Sequence, residues 1–207
     1  MNIIFDLDGT LIDSSFGILT ALESAFIECG VEMRLPLNDE LIGPPLNILL
    51  GMLAGMQDEA LLTRLKIAFK ACYDTVGYKQ TKTFEGIDDL LLNLKNKGHR
   101  LYIGTNKRMI PTQKIIDYLG WRELFIGIYA LDTCVEAKNK SALIAYILKE
   151  HQILPNQSIY VGDTVPDRIA SQDNKLPFVM VSWGYEFLVE PGDHYVETVA
   201  ELTQFLD

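Results

Sequence analysis

The chain has 207 residues, 48% of them apolar and 22% charged, with 15 Gly and 8 Pro. That composition excludes a disordered, collagenous or coiled-coil chain, and the length suffices for one sizeable core, or for one domain carrying a smaller inserted one, without disulfide support. Eighteen Lys plus Arg against 28 Asp plus Glu leave a net charge of −10, so a general basic surface is missing and nucleic acid is not expected as a bulk ligand.

Along the chain, Asn2 to Phe5 is a short apolar run cut off by acidic residues and glycine, and its length makes it a buried strand rather than a helix. From Ser14 to Thr81 the pattern changes. Phe16, Leu19, Leu22, Phe26 and Cys29 space out an amphipathic helix that ends at Gly30. Pro45 to Met56 suggests a second helix, and Leu61, Leu62, Leu65, Ala68, Phe69 and Cys72 a third, capped by Asp58 and ending near Gly77. After this block strands and helices alternate. Helical spacing at Ile87, Leu90, Leu91 and Leu94 precedes a strand at Leu101-Tyr102-Ile103; Ile115, Ile116 and Leu119 precede one at Ile126 to Ala130. Leu143, Ile144, Ile147 and Leu148 mark a further helix, and Ser158 to Val161 and Phe178 to Val181 two further strands. Such alternation predicts an α/β fold with a parallel sheet covered on both faces. The expected organisation is a core over residues 1–13 and 82–207, interrupted by an α-helical unit over 14–81.

The most apolar stretch, Leu41 to Met56, is shorter than the roughly 20 residues a bilayer requires and is interrupted by Gly43, Pro44, Pro45, Asn47, Gly51 and Gly55, so it reads as a buried helix and no membrane partner is expected. No secretory signal is visible at the N-terminus. Cys29, Cys72 and Cys134 are odd in number and outside any C-x-x-C spacing. Core thiols of a cytoplasmic protein are the expectation.

The most informative segment is Phe5-Asp6-Leu7-Asp8-Gly9-Thr10-Leu11. Side chains two apart in an extended segment point the same way, so Asp6 and Asp8 project from the end of the first strand into one small volume. Two such carboxylates repel unless a cation or a shared proton separates them. Gly9 permits a sharp turn there, and Thr10 is placed to hydrogen-bond locally. Alone, this pattern fits a solvated D-G turn equally well. A second strand, however, also ends in acids, in Gly162-Asp163-Thr164-Val165-Pro166-Asp167. Pro166 suits the first turn of a helix, which puts Asp167 at or just inside that helix, while Asp163 by itself suits a helix cap. Two acid clusters at the carboxyl ends of parallel strands converge where open α/β sheets bind ligands, and a hard divalent cation, most simply Mg2+, is the expected guest.

Ile103-Gly104-Thr105-Asn106-Lys107 follows another strand, so the Thr105 hydroxyl and nearby amides can meet phosphate oxygens. Lys140 stands just before a helix starting near Ser141, where a cation is disfavoured unless an anion compensates it, and Lys138 competes for the same role. His99, His151 and His194 have no metal-ligand spacing, and neither a G-x-S-x-G elbow nor a Walker-type loop occurs.

Taken in order, D-x-D-G-T at Asp6 to Thr10, Thr105-Asn106, a lysine at 138 or 140, and G-D-x-x-x-D at Gly162 to Asp167 resemble the four motifs of the haloacid dehalogenase-like superfamily. The text Asp6 to Ser14 and Ser182-Trp183-Gly184-Tyr185 is similar to its phosphoglycolate phosphatase-like branch, and the resemblance covers nearly the whole chain. It implies a Rossmann-like core with a helical cap inserted after the first motif. It also implies that Asp6 is the nucleophile and that Asp8 is the general acid, then the base. Mg2+ would be held by the Asp6 carboxylate, the Asp8 carbonyl and Asp163, with Asp167 in support. Thr105, Asn106 and Lys140 would bind the phosphoryl group of a small phosphorylated metabolite, in a monomer or homodimer. Lys140 is chosen over Lys138 because Ser141-Ala142-Leu143-Ile144 resembles members in which the lysine opens the helix. Phe84-Glu85-Gly86 departs from the usual Pro-Gly pair. Arg34, Gly43, Pro44 and Lys79 carry no readable pocket and are taken as structural. The implied activity is hydrolysis of a phosphoglycolate-like ester, a sugar phosphate or a nucleotide monophosphate. A phosphosugar mutase or pyrophosphatase of the same superfamily is the nearest alternative, and a non-catalytic phosphate-sensing or protein-binding module the alternative from another class.

Overall fold

The computed structural model describes residues 1–206. In chain order the strands are β1 (Asn2–Phe5), β2 (Ile12–Asp13), β3 (Lys82–Thr83), β4 (Arg100–Thr105), β5 (Gly127–Ala130), β6 (Ser158–Gly162), β7 (Phe178–Val181) and β8 (Tyr195–Val196). The α-helices are α1 (Ser15–Cys29), α2 (Leu46–Ala54), α3 (Glu59–Tyr73), α4 (Ile87–Asn96), α5 (Met109–Tyr118), α6 (Lys140–Glu150), α7 (Val165–Asp173) and α8 (Val199–Leu206).

β1 is apolar because it has neighbours everywhere. It pairs in parallel with β4 on one side and β6 on the other, placing Ile4 between Tyr102 and Tyr160, and Phe5 between Ile103 and Val161. The six-stranded parallel sheet has the order β5-β4-β1-β6-β7-β8. The two faces of β1 alternate by residue. Ile3 and Phe5 join a core with Leu91, Leu94, Ile115 and Leu202 from α4, α5 and α8, whereas Ile4 joins Leu143, Ile144 and Ala170 from α6 and α7 on the other face. The α/β class and the doubly covered sheet expected from the sequence are present. The strand order reverses at β1, so the chain leaving Phe5 emerges between the carboxyl ends of β4 and β6, where such sheets hold ligands.

Residues between β2 and β3 form a helical layer with its own core, in which Leu22 and Phe26 of α1 meet Leu50 and Leu53 of α2 and Leu65 and Phe69 of α3. Gly30 ends α1 in the left-handed conformation (φ 66°), and Asp58 caps α3 by accepting a 2.8 Å hydrogen bond from the Leu61 amide. α1 also approaches the turn at Gly77–Gln80 closely, because Gly17 presses against the Gly77 carbonyl. The chain enters and leaves this layer through an antiparallel pair of two-residue strands, Ile12 opposite Thr83 and Asp13 opposite Lys82. That pair and β8 were not anticipated, since two residues leave no alternation to detect. α8, by contrast, has a readable helical spacing in Val199, Leu202 and Leu206.

The three cysteines are free, half-buried thiols at the margins of packed clusters rather than core residues. Among the described residues no helix is long and apolar enough to cross a membrane, and α2, inside the Leu41 to Met56 stretch, buries Leu49, Leu50 and Leu53.

A methyl group at Gly17 would lie 2.3 Å from the Gly77 carbonyl oxygen, a backbone atom with no flexible end to move aside. Gly17→Ala is therefore expected to lower the unfolding free energy by about 1–3 kcal/mol, read from urea denaturation.

Candidate active site

Asp6 follows β1 directly, its amide still donating to the Val161 carbonyl (2.9 Å), so the sheet itself aims its side chain. The chain then closes a tight loop in which the Leu11 and Ile12 amides bond the Leu7 carbonyl and the Gly9 amide bonds the Ile12 carbonyl. Gly9 has φ +80°, and a Cβ there would lie 2.1 Å from Asp163 Oδ2; a Cβ at Gly184 would lie 2.2 Å from the Asp163 Cβ. Two glycines thus flank Asp163 and let it approach the first loop. The Thr10 hydroxyl donates to Asp163 Oδ1 (3.0 Å), a bond across the sheet rather than the local one the sequence suggested. Asp163 also accepts from the Tyr185 amide (2.9 Å) and is not a helix cap. That role falls to Thr164, which forms a reciprocal capping box with Asp167 at the start of α7.

Lys140, the first residue of α6, is buried and points its Nζ between Asp6 Oδ1 (2.6 Å) and Asp167 Oδ1 (3.1 Å). Lys138 is exposed and contacts neither acid. Asp167 is saturated with donors: Oδ1 also accepts from the Tyr160 hydroxyl (2.7 Å), and Oδ2 accepts from the Thr164 amide (3.1 Å) and hydroxyl (2.6 Å). Its geometry suits it to holding Lys140.

Asp6, Asp163 and Asp167 are all buried, and one carboxylate oxygen of each lies within 4.8 Å of the others. Three acids and one lysine leave the cluster short of positive charge. Burial, followed by the charges of Asp167 and Asp8, pushes Asp6 up to about 7 despite the pull of Lys140. Burial and the charges of Asp167 and Asp6 likewise push Asp163 well above the carboxylate range. Asp167 goes the other way, since Lys140 and the Thr164 and Tyr160 hydrogen bonds outweigh its burial. An all-oxygen, net-negative donor set of this kind fits a hard divalent cation.

The carboxylate of Asp8 is not part of this group. It turns to Lys107, whose Nζ donates to both oxygens (2.9 and 3.1 Å), and it accepts from the Ser14 hydroxyl. The side chains of Asp6 and Asp8 therefore line one cavity without sharing one cation position, because the loop after Leu7 rotates the second acid toward the start of α1. Lys107, which no motif in the sequence singles out, has a side chain only 5% exposed that lies 4.8 Å above the Tyr73 ring centroid and stays charged, Asp8 and Tyr73 outweighing its burial. The only signal for it in the sequence was its place two residues after Thr105.

Thr105, at the end of β4, is buried and accepts from the Lys107 amide (3.1 Å), which leaves its hydroxyl hydrogen available to a ligand. Asn106 lines the cavity, but one of its N–H groups is engaged by the Gly43 carbonyl of the helical layer (3.1 Å). Behind the acids, Trp183 Nε1 donates to the Thr10 carbonyl (3.1 Å), and the Tyr185 hydroxyl accepts from the Ser14 amide (2.9 Å) and donates to Asp13 (3.1 Å). Of the four residues taken as structural, Gly43 and Pro44 line the cavity.

Acids, a threonine and a lysine are thus gathered around the carboxyl ends of the central strands β1, β4 and β6. The family model for haloacid dehalogenase-like hydrolases matches residues 3–181, and the chain belongs to that family. Its relatives include a 5'-nucleotidase of Pseudomonas aeruginosa, 28% identical over 100% of this chain and 95% of its own, and the tyrosine-protein kinase PtkA of Mycobacterium tuberculosis, 30% identical over 88% of this chain and 62% of its own. A phosphoglycolate phosphatase of Psychrobacter arcticus is 25% identical over 89% and 84%. Among solved structures, one from Clostridium acetobutylicum, described as a predicted phosphatase, superposes with a TM-score of 0.87 at 26% identity, covering 99% of this chain and 97% of its own. These relatives and neighbours are named as phosphatases in most cases and as a kinase in one.

Asp6 and Asp163 keep protons in the fold that the unfolded chain has released, over a window from the ordinary value of 3.8 to about 7 for Asp6. Their contribution to stability is present at low pH and lost as pH rises through that window, whereas that of Asp167 changes below it. Chelator-treated protein is therefore expected to melt at progressively lower temperature from about pH 5 to about pH 7.5, and Asp6→Asn to flatten that slope; a rising profile in circular-dichroism melts contradicts the assignment.

Proposed function

We propose that the protein is a Mg2+-dependent phosphomonoesterase that works through an aspartyl-phosphate on Asp6. The observation that carries this reading is the buried contact of Lys140 with Asp6 beside Asp163, which joins a carboxylate, a cation and a net-negative oxygen site at one strand end. In the first half-reaction an Asp6 carboxylate oxygen forms the bond to phosphorus as the ester P–O bond breaks, and Asp8 delivers a proton to the departing oxygen. In the second, Asp8 takes the proton from the water that attacks the phosphoaspartate, freeing phosphate and regenerating Asp6.

Lys140 and the Thr105 hydroxyl are the groups that would hold the phosphoryl oxygens, with Lys140 steadied by Asp167. The Asp6 carboxylate, the Asp8 carbonyl and Asp163 would hold Mg2+, which supplies positive charge against the phosphoryl oxygens when bound. Lys107 and Ser14 fix Asp8 at the cavity wall, so the acid–base group is kept apart from the nucleophile it would otherwise repel. The helical layer, residues 14–81, is read as the cap that closes over the site, supported by its contacts at Asn106 and Arg108. The substrate is a small phosphorylated metabolite, handled in the cytoplasm by a monomer or homodimer.

Release of phosphate from p-nitrophenyl phosphate tests this directly: it is expected with Mg2+, to fall sharply with chelator, and to be abolished in Asp6→Asn. Lys140→Ala should lower kcat/KM by about 10²- to 10³-fold, while Lys138→Ala, exposed and away from both acids, should stay within about threefold of the parent. Equal effects of the two lysine variants would show the wrong lysine was assigned.

Because the Asp8 side chain lies outside the acid cluster, Asp8→Asn should keep Mg2+ affinity while turnover drops by about 10²- to 10⁴-fold. Isothermal titration with Mg2+ checks the first half, and a large loss of affinity would contradict the role.

A further inference from the structure

We propose that Tyr185 is a positioning residue for the acid–base step: its hydroxyl pins the Ser14 backbone, and through the Ser14 hydroxyl it fixes the orientation of Asp8. The inference rests on the phosphatase reading and adds a residue to its machinery. A serine at the start of a helix ordinarily turns its side-chain oxygen back onto the helix's own amides. Ser14 stands at the start of α1 and makes no such bond. Asp13 takes over that work, its carboxylate accepting from the Ser15 amide (2.9 Å). The buried Ser14 hydroxyl is thereby released to donate to Asp8, beside Lys107.

The position of Ser14 therefore bears directly on where Asp8 points. The β2–β3 pair leading into the helical layer has two residues on each strand and by itself holds the start of α1 weakly. Tyr185 supplies a further anchor. Its hydroxyl accepts from the Ser14 amide (2.9 Å) and donates to Asp13 Oδ1 (3.1 Å). Its ring packs against the core of the helical layer, and its own amide donates to Asp163 Oδ2 (2.9 Å). One residue thus joins the acid of the cation cluster to the backbone that orients the acid outside it, across 171 positions of sequence. Without the hydroxyl the buried Ser14 amide loses its acceptor, and the turn must shift to find another. Asp8 would follow the Ser14 hydroxyl away from its place. A general acid works only within hydrogen-bond reach of the departing oxygen, and a displacement of about 1 Å can cost about 10²-fold in rate.

Phenyl phosphate and p-nitrophenyl phosphate, with Mg2+ supplied, separate this role from a merely structural one. The esters share a ring and differ in leaving group: p-nitrophenolate departs as a stable anion, whereas phenolate depends far more on a proton from Asp8. Tyr185→Phe keeps the ring and the backbone amide. It is expected to lower kcat/KM by about tenfold for phenyl phosphate and by less than about threefold for p-nitrophenyl phosphate. Because the amide bond to Asp163 is retained, Mg2+ affinity by isothermal titration should stay within about twofold of the parent. Ser14→Ala should show the same leaving-group pattern, and adding Tyr185→Phe to it should cost less than about twofold more. Slow hydrogen exchange of the Ser14 amide in the parent protein tests the tie without any variant. No loss, equal losses on the two esters, a Mg2+ affinity that falls with activity, additive losses in the double variant, or fast exchange at Ser14 each overturn the inference. In all of those cases the phosphatase reading stands, provided the parent hydrolyses the esters. A parent that hydrolyses neither brings down that reading and this inference together.

Discussion

Lys140 lies 2.6 Å from Asp6 and 3.1 Å from Asp167, with all three side chains buried. Burying a lone ammonium or carboxylate is costly, and here each charge is tolerated only because the others are present. The lysine cannot satisfy them all. Asp163 completes the cluster, and the excess negative charge raises Asp6 and Asp163 above their ordinary range. A site under that electrostatic load is poised for a divalent cation and for a ligand that brings its own electrophilic centre. The same imbalance that makes the chelated protein costly to fold at neutral pH is what equips it for chemistry.

Close approach of the acids depends on what is missing from the residues around them. Gly9 and Gly184 face Asp163 from two sides, and any side chain at either would displace it. Trp183 and Tyr185, on the segment that carries Gly184, tie that segment to the Thr10 carbonyl and to Asp13 and Ser14 at the start of the helical layer. One short stretch after β7 therefore shapes the acid site and also grips the point where the chain leaves the sheet. A change at that point is coupled to the site through hydrogen bonds rather than through distance alone.

The helical layer meets the sheet through a small set of polar contacts, among them Asp74 with Arg108 and Lys114, and Gly43 with Asn106. These contacts pair the Arg108 and Lys114 side chains with Asp74 at the end of α3.

Much of the fold was legible because it rests on local periodicity. The run Asn2 to Phe5, the alternation after Ile87 and the helical spacing of Phe16 to Cys29 each reflect one element meeting a buried environment, which a linear pattern records faithfully. The acids at 6, 8, 163 and 167 and Thr105 could be listed because strand ends mark where a parallel sheet holds ligands, whereas the two candidate lysines stand out only as cations before a helix start and through the family resemblance. The sequence by itself determined the class of fold and the residue types at its working edge. Tertiary structure alone decided how they divide: Asp167 turned to Lys140, Asp8 turned away to Lys107, Thr10 bonded across to Asp163, and Lys138 left in solvent. Those outcomes depend on contacts between residues up to 153 positions apart, set by strand register and by the rotation of one tight loop, and no periodicity in the chain encodes them.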